Sequence, residues 1–143
     1  MNVLRIDIDS STALLSWPDD EPERRLLIQG EVGSPLDTGV YHRQAVMHVH
    51  GDGERERLPL NHAAWTLACS WRRLELPYGL YGIIVITGPN LQGLDPALVA
   101  EAQAVCGAVA DVRALWLDRP PVGEGPARAE LLAAARHAMV GLR

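Results

Sequence analysis

At 143 residues, with 48% apolar and 22% charged side chains, the chain has the size and composition of one globular domain. A chain of this length buries roughly two thirds of its unfolded surface, so a core forms without disulfides or a structural metal. Its formal charge of −5 argues against a protein that coats nucleic acid by cation density, because such binding rests on many phosphate-neutralising side chains.

All 13 basic residues are Arg. That suits bidentate phosphate contacts, but a bias in codon usage explains it better. Cys69 and Cys106 lie in apolar, helix-like stretches far apart in sequence, as expected of reduced thiols in a cytoplasmic protein. No run approaches the ~18 apolar residues of a membrane span, and the first residues lack a signal-peptide layout. The expected setting is cytoplasmic, with no membrane partner.

Taken in chain order, NVLRIDID alternates with Leu4, Ile6 and Ile8 on one face and Val3, Arg5, Asp7 and Asp9 on the other, which predicts a strand. After the polar Ser10-Ser11-Thr12 turn, ALLSW predicts a second strand, PDDEPE an exposed loop and RRLLIQGEV a third strand, an antiparallel meander. The period-two pattern from Val40 to His50, the turn at Gly51-Asp52-Gly53 and the charged ERERLPL segment predict an added hairpin over about residues 40–60. Its apolar residues Tyr41, Met47 and Val49 need cover, from an extended sheet or from a second subunit in a homodimer.

Asn61 is a good N-cap for a helix carrying Ala64, Trp65, Leu67, Ala68, Trp71 and Leu74, which stops at Pro77. Trp65 and Trp71 fall on its core side. GIIVIT, bounded by Gly82 and Gly88-Pro89, has the character of a strand buried on both faces of a parallel sheet. Asp95-Pro96 opens a helix expected to run to Asp111, VRALWLD predicts a further strand, RPPVGEGP a loop and ARAELLAAARHAMVGL a closing amphipathic helix. The expected fold class is α/β: a single domain over 1–143, with a mixed sheet formed by an N-terminal antiparallel meander and then alternating helices and strands.

That element order resembles the ribonuclease H-like fold. MNVLRIDIDSSTALLSW is similar to the opening of the RuvC resolvases and the YqgF family, with Asp7 at the position of their catalytic carboxylate. GIIVITGPNLQG, a helix and VRALWLDRPPV resemble the YqgF pattern through Asp118 and Arg119, and Glu130 lies near the acidic position of the final helix. The chain departs from the pattern at Asp9, where the family has Gly, and at Thr87, where RuvC enzymes carry Glu. The resemblance implies a Mg²⁺- or Mn²⁺-dependent nuclease or resolvase-like protein acting on branched DNA or structured RNA. Asp7, Asp118 and Glu130 would be catalytic, the metal would sit on these with Asp9, and Arg119 would contact phosphate. The alternative is a relative that has lost catalysis and serves as a binding or assembly module.

The residues themselves allow the same chemistry. Asp7 and Asp9, two positions apart on a strand, project ~7 Å apart. Two-metal hydrolysis needs several carboxylates around ions ~4 Å apart, and carboxylates at the carboxyl ends of parallel strands would supply them. The plain reading is that Asp7 and Asp9 are solvated polar-face residues and Asp118 a turn residue. His48-x-His50, with Asp52 next in the alternation, is half of a zinc set or a wet sheet face. His137 is either a base beside the carboxylates or a residue compensating a helix dipole. Gly88-Pro89-Asn90 through Gly93 either takes a phosphate at a helix N-terminus or is a plain strand-to-helix turn.

Overall fold

The computed structural model of the chain describes residues 2–142. Five strands, β1 (Asn2–Ile6), β2 (Thr12–Ser16), β3 (Leu36–His42), β4 (Ala45–His50) and β5 (Ile84–Thr87), form one sheet with four helices: α1 (Glu21–Val32), α2 (His62–Arg72), α3 (Pro96–Trp116) and α4 (Glu124–Val140). The strand order is β2-β1-β5-β4-β3, and every adjacent pair is antiparallel.

The alternation in β1 sorts the molecule into two cores. Leu4 and Ile6 join Met47, Ile84 and Ile86 on the face covered by α2, α3 and α4. Val3 and Val85 point the other way, against Trp17 and against Ile28 and Val32 of α1. The strand carrying Arg5 is therefore internal and pairs with β5 at Leu4↔Ile86.

The α/β class stands, but the mixed sheet is corrected to an antiparallel one. All four residues of β5 are buried because it lies mid-sheet between two helical layers. Burial on both faces requires cover on both sides and says nothing about strand direction.

Three local expectations also change. RRLLIQGEV lies in α1, which removes the three-stranded meander. Pro22 in the first turn, Glu21 and Glu23 at the N-terminus and the Ile28/Val32 pair on the buried face make the segment helical, so the acidic PDDEPE stretch leads into a helix. VRALWLD ends α3, because Val105, Val109, Val112 and Trp116 continue one helical stripe against the core. ERERLPL is mostly turn.

The hairpin begins at Leu36, reverses at Arg43-Gln44 and carries a bulge between Gly39 and His42, which blunts this edge of the sheet. Tyr41 and Met47 are buried in the chain's own core, so their cover comes from within the chain. Among the described residues no helix is long and apolar enough to cross a membrane.

Candidate functional site

Asp7 and Asp9 lie past the end of β1, in the turn to β2, and both serve that turn. Asp7 Oδ1 accepts from the Ile8 amide at 2.7 Å, while Asp9 Oδ1 accepts from the Ser11 amide at 2.9 Å and the Ser11 hydroxyl at 2.6 Å. The Ser11 bonds hold the Asp9 carboxyl below its ordinary range.

Arg113 of α3 donates to the Ile8 carbonyl at 2.8 Å and to Ser10 Oγ at 3.0 Å, which brings the C-terminal end of α3 to this turn. Glu130 of α4 meets the same end of α3. Its carboxylate accepts from both terminal nitrogens of Arg119, at 3.1 and 3.3 Å, and from Trp116 Nε1 at 3.2 Å. Arg119, the expected phosphate contact, and Trp116 both hold Glu130 below the usual carboxylate range. Asp118 follows α3, its amide donating to the Leu115 carbonyl at 3.1 Å. Of the three expected catalytic positions, Asp7 thus lies in a loop, Asp118 in the turn after α3 and Glu130 within α4, where a guanidinium engages it. Among the described residues no three His, Cys, Asp or Glu side chains form a group that could hold a metal ion.

The two β4 histidines share a face and point to separate partners. His48 Nε2 lies 2.9 Å from Thr87 Oγ1, and the Thr87 hydroxyl donates its one proton to the Gly88 carbonyl. His48 Nε2 is therefore the donor of that pair. His50 accepts from the Asp52 amide at Nδ1 and lies 3.2 Å from Glu56 through Nε2. After β5 the chain makes a 3₁₀ turn at Pro89–Leu91, where Asn90 and Leu91 both take left-handed φ. The Leu91 carbonyl is fixed by Trp17 Nε1 at 2.7 Å and Arg24 Nη1 at 3.0 Å, which anchors this loop to the α1 side of the sheet.

A cleft opens on the other side, between the start of α2, the 75–81 strap and the N-terminal half of α4. Its volume is about 720 Å³, within the range of small-molecule sites. Asn61 fixes the start of α2 beside it. Buried and capping α2 through Ala64, it also donates to the Ile6 and Gly82 carbonyls at 3.1 and 2.9 Å. His62 is set one residue later, at the mouth of α2.

Its lining includes the aromatic residues Trp65, Tyr78 and Tyr81 and the apolar Leu60, Leu76 and Leu131. A Cβ at Gly79 would lie 2.8 Å from Leu60 Cδ1 and 2.9 Å from the Tyr81 hydroxyl, so a side chain there would have to displace the ends of these two side chains. Tyr78 is tied to the sheet through its hydroxyl, 2.9 Å from that of Tyr41. Burial, followed by that contact, pushes the Tyr41 phenol well above its ordinary range.

The rim is charged. Arg128 Nε donates to Glu75 at 2.8 Å, and its Nη1 lies 3.6 Å from Glu124. The Nδ1 atom of His62 is buried from solvent and has no hydrogen-bond partner among the described residues, and the His62 ring packs edge-on to Trp116. Burial and the Arg113 charge hold this imidazole below its usual pKa, so it is neutral at pH 7.

No protein-family model matches the chain, and neither a curated protein nor a solved structure is significantly similar to it. The site is therefore read from its geometry.

Several cleft residues carried only a weak signal in the sequence. Trp65 is core, as its helical spacing implies, and also presents to the cleft. Tyr78 and Tyr81 stand in Leu76-Pro77-Tyr78-Gly79-Leu80-Tyr81, where a Pro and a Gly beside two aromatics mark a shaped strap rather than a plain linker. Arg128 looks like any exposed helix residue until α4 folds back against that strap.

Proposed function

We propose that the chain is a binding module that takes a small organic molecule in the cleft between α2, the 75–81 strap and α4. The observation that carries this reading is the cleft itself, about 720 Å³, which brings Trp65, Tyr78 and Tyr81 together with His62, Glu75 and Arg128. A pocket with a few convergent polar groups is the usual form of a ligand site. The competing reading is the Mg²⁺- or Mn²⁺-dependent nuclease acting through Asp7, Asp118 and Glu130.

The test has two arms. In the first, amide and indole NMR spectra of the full chain are recorded with small monocyclic aromatic probes. The expected result is perturbation of Trp65 and the 75–81 strap with the Trp17 indole, on the opposite face of the sheet, unmoved. Perturbation spread over both faces, or none at all, overturns the reading. In the second, a four-way DNA junction and a structured RNA are incubated with Mn²⁺ and either wild type or Asp7→Asn. The binding module predicts no Asp7-dependent cleavage, and cleavage that Asp7→Asn abolishes replaces it with the nuclease.

A further inference from the structure

We propose that the free edge of β2 pairs antiparallel with the same edge of a second copy of this chain, joining two five-stranded sheets across a twofold axis at Leu14. The inference is independent of the ligand cleft, and it uses the edge of the sheet opposite the 36–50 hairpin.

The first support is that β2 is an open edge. It is the outermost strand beside β1, and β1 is the one element it packs against extensively. Its ladder with β1 runs from Asn2↔Ser16 to Ile6↔Thr12 without a bulge, and it carries neither a proline nor a charged residue. The β3 edge, by contrast, has its bulge and Asp37. Bulges, charges and prolines are the usual means of keeping an edge from pairing, and β2 has none of them.

The second support is the direction of its main-chain groups. The Asp7 amide donates to the Ser11 carbonyl at 2.9 Å, in the same register as the β1–β2 ladder. Antiparallel partners alternate between pairs that exchange bonds and pairs that do not. Asp7, Arg5 and Val3 therefore bond toward Ser11, Ala13 and Leu15. Ile6 and Asn2 turn the other way, their carbonyls accepting from Asn61 at 3.1 Å and from Leu94 at 2.9 Å. The outward set on β2 is Thr12, Leu14 and Ser16, whose N–H and C=O groups have no protein partner among the described residues. The set is closed at both ends: Ser10 takes a left-handed φ of 73°, and Pro18 has no N–H to offer.

The third support is that this set matches itself. With Leu14 at its centre, a twofold axis passes through a bonded Leu14–Leu14 pair and sets Thr12 of each copy opposite Ser16 of the other. Every outward N–H and C=O is then paired. An axis at Ala13 leaves Ser16 facing Ser10, and one at Leu15 leaves Thr12 facing Pro18, so both forfeit bonds. Leu14 is 49% exposed and borders a hollow lined also by Leu94, Pro96 and Val99. Opposite its own copy it gains an apolar neighbour, and hydroxyl meets hydroxyl on either side. Five residues a side make a small interface, each copy carries a formal charge of −5, and Asp9 and Asp19 flank the strand, so the association is weak and reversible.

Sedimentation equilibrium and amide spectra of the full chain are followed from ~10 µM to ~1 mM, the range proper to so small an interface. The expected result is a monomer–dimer equilibrium whose concentration-dependent shifts and slowed amide exchange centre on Thr12, Leu14 and Ser16. Leu14→Arg sets two guanidiniums against each other across the axis and is expected to weaken dimerisation roughly tenfold or more. The Thr12→Arg/Ser16→Glu double variant places opposite charges across the axis at both ends of the strand, while within one copy they stand ~13 Å apart. It is expected to tighten the dimer severalfold, and its result stands even if Leu14→Arg fails to fold. A strict monomer at the highest concentration, assembly beyond a dimer, shifts confined to another surface such as that of Leu117 and Val122, or a folded Leu14→Arg protein that dimerises like wild type overturns the proposal. So does a folded double variant that pairs no better than wild type.

Discussion

The side-chain amide of Asn61 donates to the main-chain carbonyl of Ile6, 55 residues away in sequence, at 3.1 Å. One fully buried residue thereby joins the end of β1 to the start of α2, and a second bond to Gly82 ties in the approach to β5. Its Oδ1 caps the helix by accepting from Ala64 at 3.0 Å. Asn61→Ala removes the cap and strands two buried carbonyls, a loss of about 2–4 kcal/mol from the usual cost of a cap and of unsatisfied groups. Asn61→Asp keeps the cap but turns a carboxylate oxygen toward the two carbonyls, and is expected to cost at least as much at pH 7. Urea unfolding checks both, and an Asn61→Ala change under 1 kcal/mol would show that the network is not a structural joint.

Arg73 ends α2 in the left-handed region, at φ 58° and ψ 36°, with its side chain exposed. Glycine adopts that conformation without a Cβ penalty, and it is the residue helices favour there. Arg73→Gly is therefore expected to stabilise the fold by about 0.5–1 kcal/mol, against the usual effect of adding a glycine. The urea midpoint should rise with an unchanged m-value. A fall in the midpoint would mean that the arginine side chain contributes more than its backbone strain costs.

How much of this was legible in the sequence depended on how local the signal was. Asn61 as a cap, Asp95-Pro96 as a helix start and β5 as a doubly covered strand follow from a few adjacent residues, and the structure has all three. RRLLIQGEV and VRALWLD misled because short apolar runs fit period two and period 3.6 alike, and tertiary packing decides between them. Ile28 and Val32 face the sheet four residues apart, and Val112 and Trp116 extend a stripe begun at Leu98. Strand direction was not legible either, since the burial of Val85 records cover and not polarity. The cleft was the least visible part. It joins residues 60–81 to residues 124–131, and only the return of α4 along α3 brings Arg128 to Glu75.

Both cysteines are buried and free, and burial is the largest cause of their raised thiol pKa values, with Cys106 pushed up to about 12. Thiolate is the reactive form, so both groups should be inert in the native state. Ellman's reagent at pH 8 is expected to label neither cysteine on the timescale of minutes and both at once in denaturing urea. Rapid labelling of either one under native conditions would place it at a surface that this packing denies.

His48 supplies a pH dependence whose sign is fixed by its surroundings. The ring is 7% exposed, and its Nε2–H is spent on Thr87, whose own proton goes to Gly88. A second proton would put a charge where no carboxylate answers it, and burial pushes the imidazole down to about 4 from its ordinary value of 6.5. The unfolded chain takes up that proton as pH falls through 6.5, whereas the native state resists until about 4. Between those values the unfolded state binds more protons, so stability falls as pH falls and is fully present only above pH 6.5. The loss from this one group is on the order of 2 kcal/mol between pH 7 and pH 4.5 after allowance for partial solvent access. His62, also held down, adds a contribution of the same sign. His48→Gln keeps a donor for Thr87 and cannot titrate, so its urea midpoint should fall less steeply over pH 7 to 4.5 than that of wild type. Parallel curves for the two proteins would show that His48 is not the group responsible.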